Sequence, residues 1–256
     1  MKNNKIQTQL SNKTLSIVCV VANEKDSLKK FVNEVLEKCN IFKSVKLFLI
    51  FDDVDKDGTK HLAKMMSKKD KRVIFLECKR SKNVVETLLF GYSNALKSKA
   101  DFILDINAGY RHLPSDLEKF FLAISPNYDC FFGSRFISGG SMSAPSIKRK
   151  IYSMGGTYLA NFLLGTDLTD MTSGFQLYRR KVIKDLLSIK FFSKYHFINT
   201  EIKFYCKNFN ILEIPISYET PASSVKFYVL LDSLFCLCRV FCKRLSKKKK
   251  KKLIKC

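Results

Sequence analysis

Residues 45–59 read VKLFLIFDDVDKDGT, and this stretch decides the fold. The first seven residues, VKLFLIF, are a short and almost unbroken apolar run. That is the mark of a strand covered on both faces, as in a parallel sheet. Four acids then fall within six residues, Asp52, Asp53, Asp55 and Asp57, before Gly58–Thr59 opens a helix running toward Met66. In parallel α/β sheets ligands bind beyond the carboxyl ends of the strands. Acids placed there accept hydrogen bonds from a ribose or a base, or hold a divalent cation on a diphosphate. Helix capping accounts for Asp55 or Asp57. It does not account for four acids at one strand end, so Asp52 and Asp53 are the candidate ligand contacts.

The same pattern repeats on either side. Upstream, residues 15–21 (LSIVCVV) form another β-branched run, followed by Ala22-Asn23-Glu24. Leu28, Phe31, Val32, Val35 and Leu36 then recur at helical spacing. Downstream, 72–77 (RVIFLE) and 101–106 (DFILDI) are strands, with a helix over 84–97 between them and another from Pro114 to about Ala123. This alternation predicts an α/β fold with a largely parallel sheet flanked by helices. The fourth strand ends in Asp105-Ile106-Asn107-Ala108-Gly109-Tyr110-Arg111-His112. If strand alternation continues, Asp105, Asn107, Gly109 and Arg111 share one face. His112 is read as a structural hydrogen-bonding residue. Later, GSRFISGGSMSAPS (133–146) reads as a loop, 147–164 as a helix and 211–217 (ILEIPIS) as a short strand.

Composition narrows the partners. The 256 residues are enough for one large core, and 46% hydrophobic with 27% charged residues is an ordinary globular balance. Nine cysteines are scattered without metal-ligand or disulfide-framework spacing, which favours reduced thiols and a cytoplasmic setting. The formal charge of +23 implies an anionic partner, but nine of the positives lie between Lys243 and Lys255. A nucleic-acid partner is not expected, because the positives concentrate in that tail and no aromatic-basic recognition motif appears.

Taken together, the ordered motifs resemble the family 2 glycosyltransferases of GT-A fold, nearest to dolichol-phosphate mannose synthase and bacterial polyprenyl-phosphate glycosyltransferases. The marks are strand-xNE, strand-DDxxxDGT and DxxxxxxHxP, then GSRF at 133–136 and Lys148-Arg149-Lys150. They continue through DMTSGFQLYR (170–179), YHFINTE (195–201), EIPISYE (213–219) and SSVK (223–226), so the resemblance spans roughly residues 14–227. It implies an inverting transfer from a nucleotide-diphospho-sugar to an acceptor, a polyprenyl phosphate above all. It implies that Asn23, Glu24, Asp52, Asp53 and Asn107 hold the nucleotide-sugar. Arg135, Arg149 and Lys226 would face phosphates, and Asp170, Thr172, Ser173 and Glu201 would shape the acceptor side. Arg149, Asp170 and Glu201 would be catalytic, the two acids as bases if the acceptor is a hydroxyl.

The resemblance also implies a divalent metal, Mg or Mn. Here the chain departs from the pattern: the position of the family's DxD falls on Asn107-Ala108-Gly109, which carries no carboxylate. The glycine-rich loop before the third helix likewise falls on Asn83-Val84-Val85. Three readings stay open. Arg111 replaces the metal as a catalytic cation, Asp105 holds a displaced metal, or the chain is a non-catalytic nucleotide-sugar-binding member.

The expected organisation is a polar arm over 1–13, a glycosyltransferase domain over 14–226, and an apolar helix with a basic tail over 227–256. Residues 227–242 (FYVLLDSLFCLCRVFC) are too short and too interrupted by Asp232 and Arg239 for a spanning helix. They either pack on the domain or lie in a membrane interface, with the run Lys243–Lys255 on anionic lipid of the cytoplasmic face.

Overall fold

Each apolar run around the acidic cluster becomes a strand because helices cover it on both faces. The computed structural model describes residues 8–52, 56–79, 81–142, 147–218 and 227–253. In it β1 (Thr14–Val20), β2 (Ser44–Phe51), β3 (Val73–Glu77) and β4 (Phe102–Asp105) alternate with α1 (Lys25–Lys38), α2 (Thr59–Lys69) and α3 (Val84–Lys97). All pairings among these strands are parallel. The expected α/β architecture with a mostly parallel sheet is therefore present.

Alternation along the strands sorts their side chains into two layers. Ile17, Leu47, Leu49 and Leu104 point to one face, where they meet Phe31 of α1 and Phe120 of α4 (Leu117–Ala123). Val18, Phe48, Ile50 and Ile103 point to the other, against Leu88 and Tyr92 of α3. Each such side chain contributes about 1.5–3 kcal/mol by leaving water. Gly91 sets how close α3 lies, since a Cβ there would collide with Ile50 and Val18.

The second half departs from the sequence reading. β5 (Cys130–Ser134), β7 (Gln176–Arg179) and β8 (Ile211–Pro215) extend the sheet to the order β3-β2-β1-β4-β7-β5-β8. β7 runs antiparallel to both β4 and β5, whereas β5 and β8 are parallel. Gly133 and Ser134, expected in a loop, instead end a buried strand. The expected strand over 211–217 divides into β8 and β9 (Ser217–Tyr218), and β9 pairs with β6 (Ser141–Met142). The helix from Pro114 begins as a 3-10 turn, Pro114–Asp116, before α4. Two helices unmarked by the sequence, α6 (Arg180–Leu186) and α7 (Ile198–Cys206), add Val182, Ile183 and Ile202 to the layer beneath α3.

Outside these layers lie α5 (Ile147–Leu164) and α8 (Phe227–Leu253). They share a small third core in which Ala160 and Leu164 meet Cys236, Leu237 and Val240. Arg244 of α8 donates to the Leu163 carbonyl at 2.6 Å and so satisfies the end of α5. No helix among the described residues is long and apolar enough to cross a membrane. Cys19, Cys39, Cys130, Cys206 and Cys236 are buried free thiols, and burial pushes those of Cys19 and Cys39 up.

Candidate active site

The loops after β1 and β2 are stitched together by short polar contacts. Asn23 takes a left-handed backbone (φ 54°), and its Oδ1 accepts the Lys56 N–H at 2.9 Å. The Glu24 N–H donates to Thr59 Oγ1 at 2.9 Å, and the Lys25 N–H to Asp57 Oδ2 at 3.1 Å. Asp57 also accepts the Thr59 N–H at 2.9 Å and the Thr59 hydroxyl. The Thr59 hydroxyl first, helped by the backbone amides against a burial penalty, lowers its pKa to about 2. Asp57 thus ties helix starts together. Asp52 stands half-buried just beyond the end of β2, while Asp53 and Lys226 lie outside the described residues.

Beside this loop the chain leaves β4 and turns. Gly109 (φ 73°) and Tyr110 (φ 57°) both take left-handed backbone, so strand alternation stops and the expected common face of Asp105, Asn107, Gly109 and Arg111 does not form. Gly109 suits the left-handed turn, and a Cβ there would displace the Glu24 carboxylate. Arg111, half exposed, brings Nη2 to 3.7 Å from Glu24 Oε1, and Ser27 Oγ donates to the same carboxylate at 3.2 Å. The Asn107 N–H donates to Nδ1 of His112 at 3.0 Å. His112 is buried and stacked on Phe175 at 4.8 Å. Burial, then the charges of Arg135 and Arg111, hold its pKa near about 3, so the ring is neutral and structural.

Asp105 corrects an expectation. It shares the face of Ile103, under α3, and accepts the Tyr92 hydroxyl at 2.7 Å. Burial raises its pKa to about 7 against that bond. A carboxyl turned inward and bonded to the Tyr92 hydroxyl is not presented to a metal at the strand end. Among the described residues no three His, Cys, Asp or Glu side chains gather as a cation site, and Glu24 already faces a guanidinium. The donor set of the described residues does not fit a divalent ion.

A second group is built on β5, β7 and α7. Asp170 is fully buried and takes Arg135 Nε at 2.7 Å and Nη2 at 2.9 Å in a bidentate pair. It also accepts the Thr172 and Ser173 N–H groups at 3.0 and 3.1 Å. Burial would raise this carboxyl, but the Arg135 bonds and charge, with Lys203, hold it well below the usual range. Lys203 is fully buried, donates to the Asp170 carbonyl, and lies 5.4 Å over the Phe132 ring. Burial lowers its pKa to about 8. Arg135 also donates to Thr172 Oγ1 at 2.5 Å. Arg135, expected to face phosphates, therefore anchors the loop over 170–173.

Glu201 brings a further correction. It is fully buried on α7 and accepts the Phe192 N–H at 3.0 Å, the Ser193 N–H at 3.0 Å and the Ser193 hydroxyl at 2.6 Å. It holds the 190s loop in place rather than meeting an acceptor. Arg149 on α5 reaches Tyr218, with Nη2 3.4 Å from the hydroxyl and the guanidinium 5.7 Å from the ring. Arg135 lies 5.6 Å from the same ring.

Two residues missed by sequence reasoning join these groups. Tyr218 is shared by Arg135 and Arg149. His196 is pushed down by burial and then by the charges of Arg111 and Arg149, so both cations act on one imidazole. His196 lies inside a motif the sequence does show (YHFINTE), but nothing in that motif predicts which cations it faces. The buried Lys203 carries no sequence signal, since its partner is a main-chain carbonyl. Elsewhere, Asn83 caps α3 by accepting the Val85 and Glu86 N–H groups at 3.1 Å, where the sequence comparison expected glycines.

Comparison with known proteins agrees with the fold. The model described as "Glycosyl transferase family 2" matches residues 16–187. The chain is 26% identical over 205 residues to a polyprenol monophosphomannose synthase of Mycolicibacterium smegmatis, covering 79% of this chain and 76% of that one. It is 28% identical over 174 residues to an undecaprenyl-phosphate mannosyltransferase of Micrococcus luteus, covering 66% and 70%. In fold it is similar to glucosyl-3-phosphoglycerate synthase of Mycobacterium tuberculosis, solved with Mn2+, UDP and glucosyl-3-phosphoglycerate (TM-score 0.64, 12% identity, 94% and 82% covered). A complex of that enzyme with Mg2+ and UDP gives a TM-score of 0.66 at 11% identity, with the same coverage.

Proposed function

Because this chain belongs to glycosyl transferase family 2, we propose that it moves a sugar from a nucleotide-diphospho-sugar to a polyprenyl phosphate, with inversion. The curated relatives carry mannose and polyprenyl phosphate in their names, so mannose is the first sugar to test. One oxygen of the acceptor phosphate forms the new bond to the anomeric carbon. The bond from that carbon to the diphosphate breaks on the opposite side, and its electron pair leaves with the nucleoside diphosphate.

One observation carries the choice of a phosphate acceptor. A hydroxyl acceptor needs a base to take its proton, and the two acids proposed for that task are locked away. Asp170 is held by Arg135 and Glu201 by the Phe192 and Ser193 amides. A phosphate is already anionic and needs neither.

The site is then one of positioning and charge. Asn23, Glu24, Asp52 and Asn107, at the ends of β1, β2 and β4, hold the donor, and the resemblance adds Asp53. Arg111 and Arg149, whose charges both act on His196, face the diphosphate and the acceptor phosphate, and the resemblance assigns Lys226 to phosphate as well. A guanidinium pairs two phosphate oxygens at once and is strong where water is excluded. Thr172 and Ser173 shape the acceptor side on the loop that Asp170 fixes. The structural neighbour is solved with Mn2+ or Mg2+ and UDP, but the described residues here suit no such ion, and Arg111 is the cation in its place. The run Lys243–Lys255 favours the anionic cytoplasmic face of the membrane that holds such an acceptor.

The test is turnover on vesicles carrying undecaprenyl phosphate, across a panel of nucleotide-sugars, with chelator and with Arg111→Ala. The expected outcome is activity that survives chelator and falls about a hundredfold or more in the variant. Activity that dies with chelator yet tolerates the alanine overturns the role of Arg111. Transfer to a soluble hydroxyl acceptor but to no lipid phosphate overturns the acceptor.

A further inference from the structure

An exposed helix in water normally carries charges on its outer face. α5 does not. From Ile151 to Leu164 it holds no charged residue, yet only Thr157, Ala160 and Leu164 of that stretch are buried. Ile147, Ile151, Tyr158 and Phe162 stand 79%, 61%, 77% and 74% exposed and fall at helical spacing along one side. α8 repeats the arrangement with Phe227, Leu231, Leu234, Phe235 and Leu245 exposed, and with Cys238 and Cys242 on the same stripe. Of the fifteen large apolar side chains exposed among the described residues, seven lie on α5 and six on α8. Such concentration on two neighbouring helices marks an interaction surface rather than scatter.

We infer that α5 and α8 together form a membrane-docking face, with α5 entering the headgroup boundary of an anionic bilayer beside the lysine-rich end of α8. Charge chooses this occupant over a second protein. Lys148, Arg149 and Lys150 begin α5, and the sequence from Lys243 to Lys255 adds nine positives at the end of the α8 stripe and beyond it. Apolar side chains on one side and lysines at the margin are the composition of an interfacial helix. Neither helix is long and apolar enough to span, so both lie along the surface. The seam of Ala160 and Leu164 with Cys236, Leu237 and Val240 holds them as one unit. Arg149, proposed to face phosphate, is on the first turn of α5, which brings that cation to the height of lipid headgroups. The inference extends the reading of the acceptor as a membrane lipid, but it concerns binding, not turnover.

The chain has no tryptophan, so Phe162→Trp on the full protein gives a single reporter on α5. On vesicles containing anionic phosphatidylglycerol its emission shifts to the blue and is quenched by brominated acyl chains, whereas neutral vesicles give a weaker response. Ile151→Asp/Phe162→Asp, checked for native circular dichroism, loses about tenfold or more in vesicle partitioning with the lysine run intact. Hydrolysis of donor in the absence of vesicles stays unchanged in that variant, which separates a failure of docking from a failure of the proposed chemistry. An unshifted, unquenched indole signal on vesicles that do bind the protein through its lysines overturns the inference. So does a concentration-dependent dimer whose formation buries the same reporter without lipid.

Discussion

Two pairings of an acid with an arginine in this molecule differ in one physical respect. At the ends of β1 and β4, Glu24 and Arg111 meet at 3.7 Å with the guanidinium half exposed. Behind β5 and β7, Arg135 and Asp170 meet at 2.7 Å with 6% and 0% of their side chains exposed. The residue types are the same. An open pair in high dielectric contributes little to stability and can exchange partners with a ligand. A buried, fully hydrogen-bonded pair cannot be broken without leaving a charge in the interior. The first pair can trade partners, as the proposed function requires, and the second fixes the loop over 170–173.

Breaking that comparison starts with Asp170. Asp170→Asn removes half of a buried pair and leaves Arg135 unmatched, so stability falls by about 3–5 kcal/mol. Denaturant unfolding at constant pH reads this directly. Replacing both partners, Arg135→Met with Asp170→Leu, recovers most of the loss. A stable Asp170→Asn protein that has lost only activity would move Asp170 into the reacting site.

Asp105 sharpens the contrast through pH. Its folded pKa, about 7, lies above the ordinary value of 3.8 because burial favours the neutral acid. The stability it contributes is full below pH 4 and is lost as pH rises toward 7, where the unfolded chain ionises first. Relative to Asp105→Asn, the natural protein loses up to about 1.4 kcal/mol per pH unit across that window. Thermal unfolding at pH 4.5, 5.5 and 6.5 measures it. A gap between the two proteins that stays constant with pH would mean the carboxyl is ionised and solvated.

The smallest stability effect belongs to Glu24. Glu24→Gln changes unfolding free energy by about 1 kcal/mol or less, while donor affinity by calorimetry drops about tenfold or more. Unchanged affinity removes Glu24 from the donor site and leaves its carboxylate a support for the Gly109 turn.

The strands β1 to β4 were legible because buried parallel strands are written as continuous apolar runs closed by acids. Their helices were legible from spacing, as with Leu28, Phe31, Val32 and Val35. β5 and β7 were not. Each is only four or five residues long, and Gly133, Gln176 and Arg179 break the apolar signal. α6 and α7, at seven and nine residues, are too short for periodicity to show. The site divides in the same way. Side chains at strand ends follow from the fold, but the fates of Asp105, Asp170 and Glu201 depended on which way each points. The Tyr92 hydroxyl, a bidentate arginine and two backbone amides decide that, and none of them has a sequence signature. The resemblance to a family carried the order of the motifs; it could not say which of their charges remain open to a ligand.

The place of β7 has a consequence for how the chain is made. It fills the gap between β4 and β5, although β4 ends at Asp105 and β7 at Arg179. During synthesis, at roughly 5–20 residues per second, β4 therefore waits about 4 to 15 s with one edge unpaired. A bare parallel sheet edge is a template for another chain. The newborn N-terminal half is the aggregation-prone species of this protein, and a ribosome stalled before residue 179 would expose it longest.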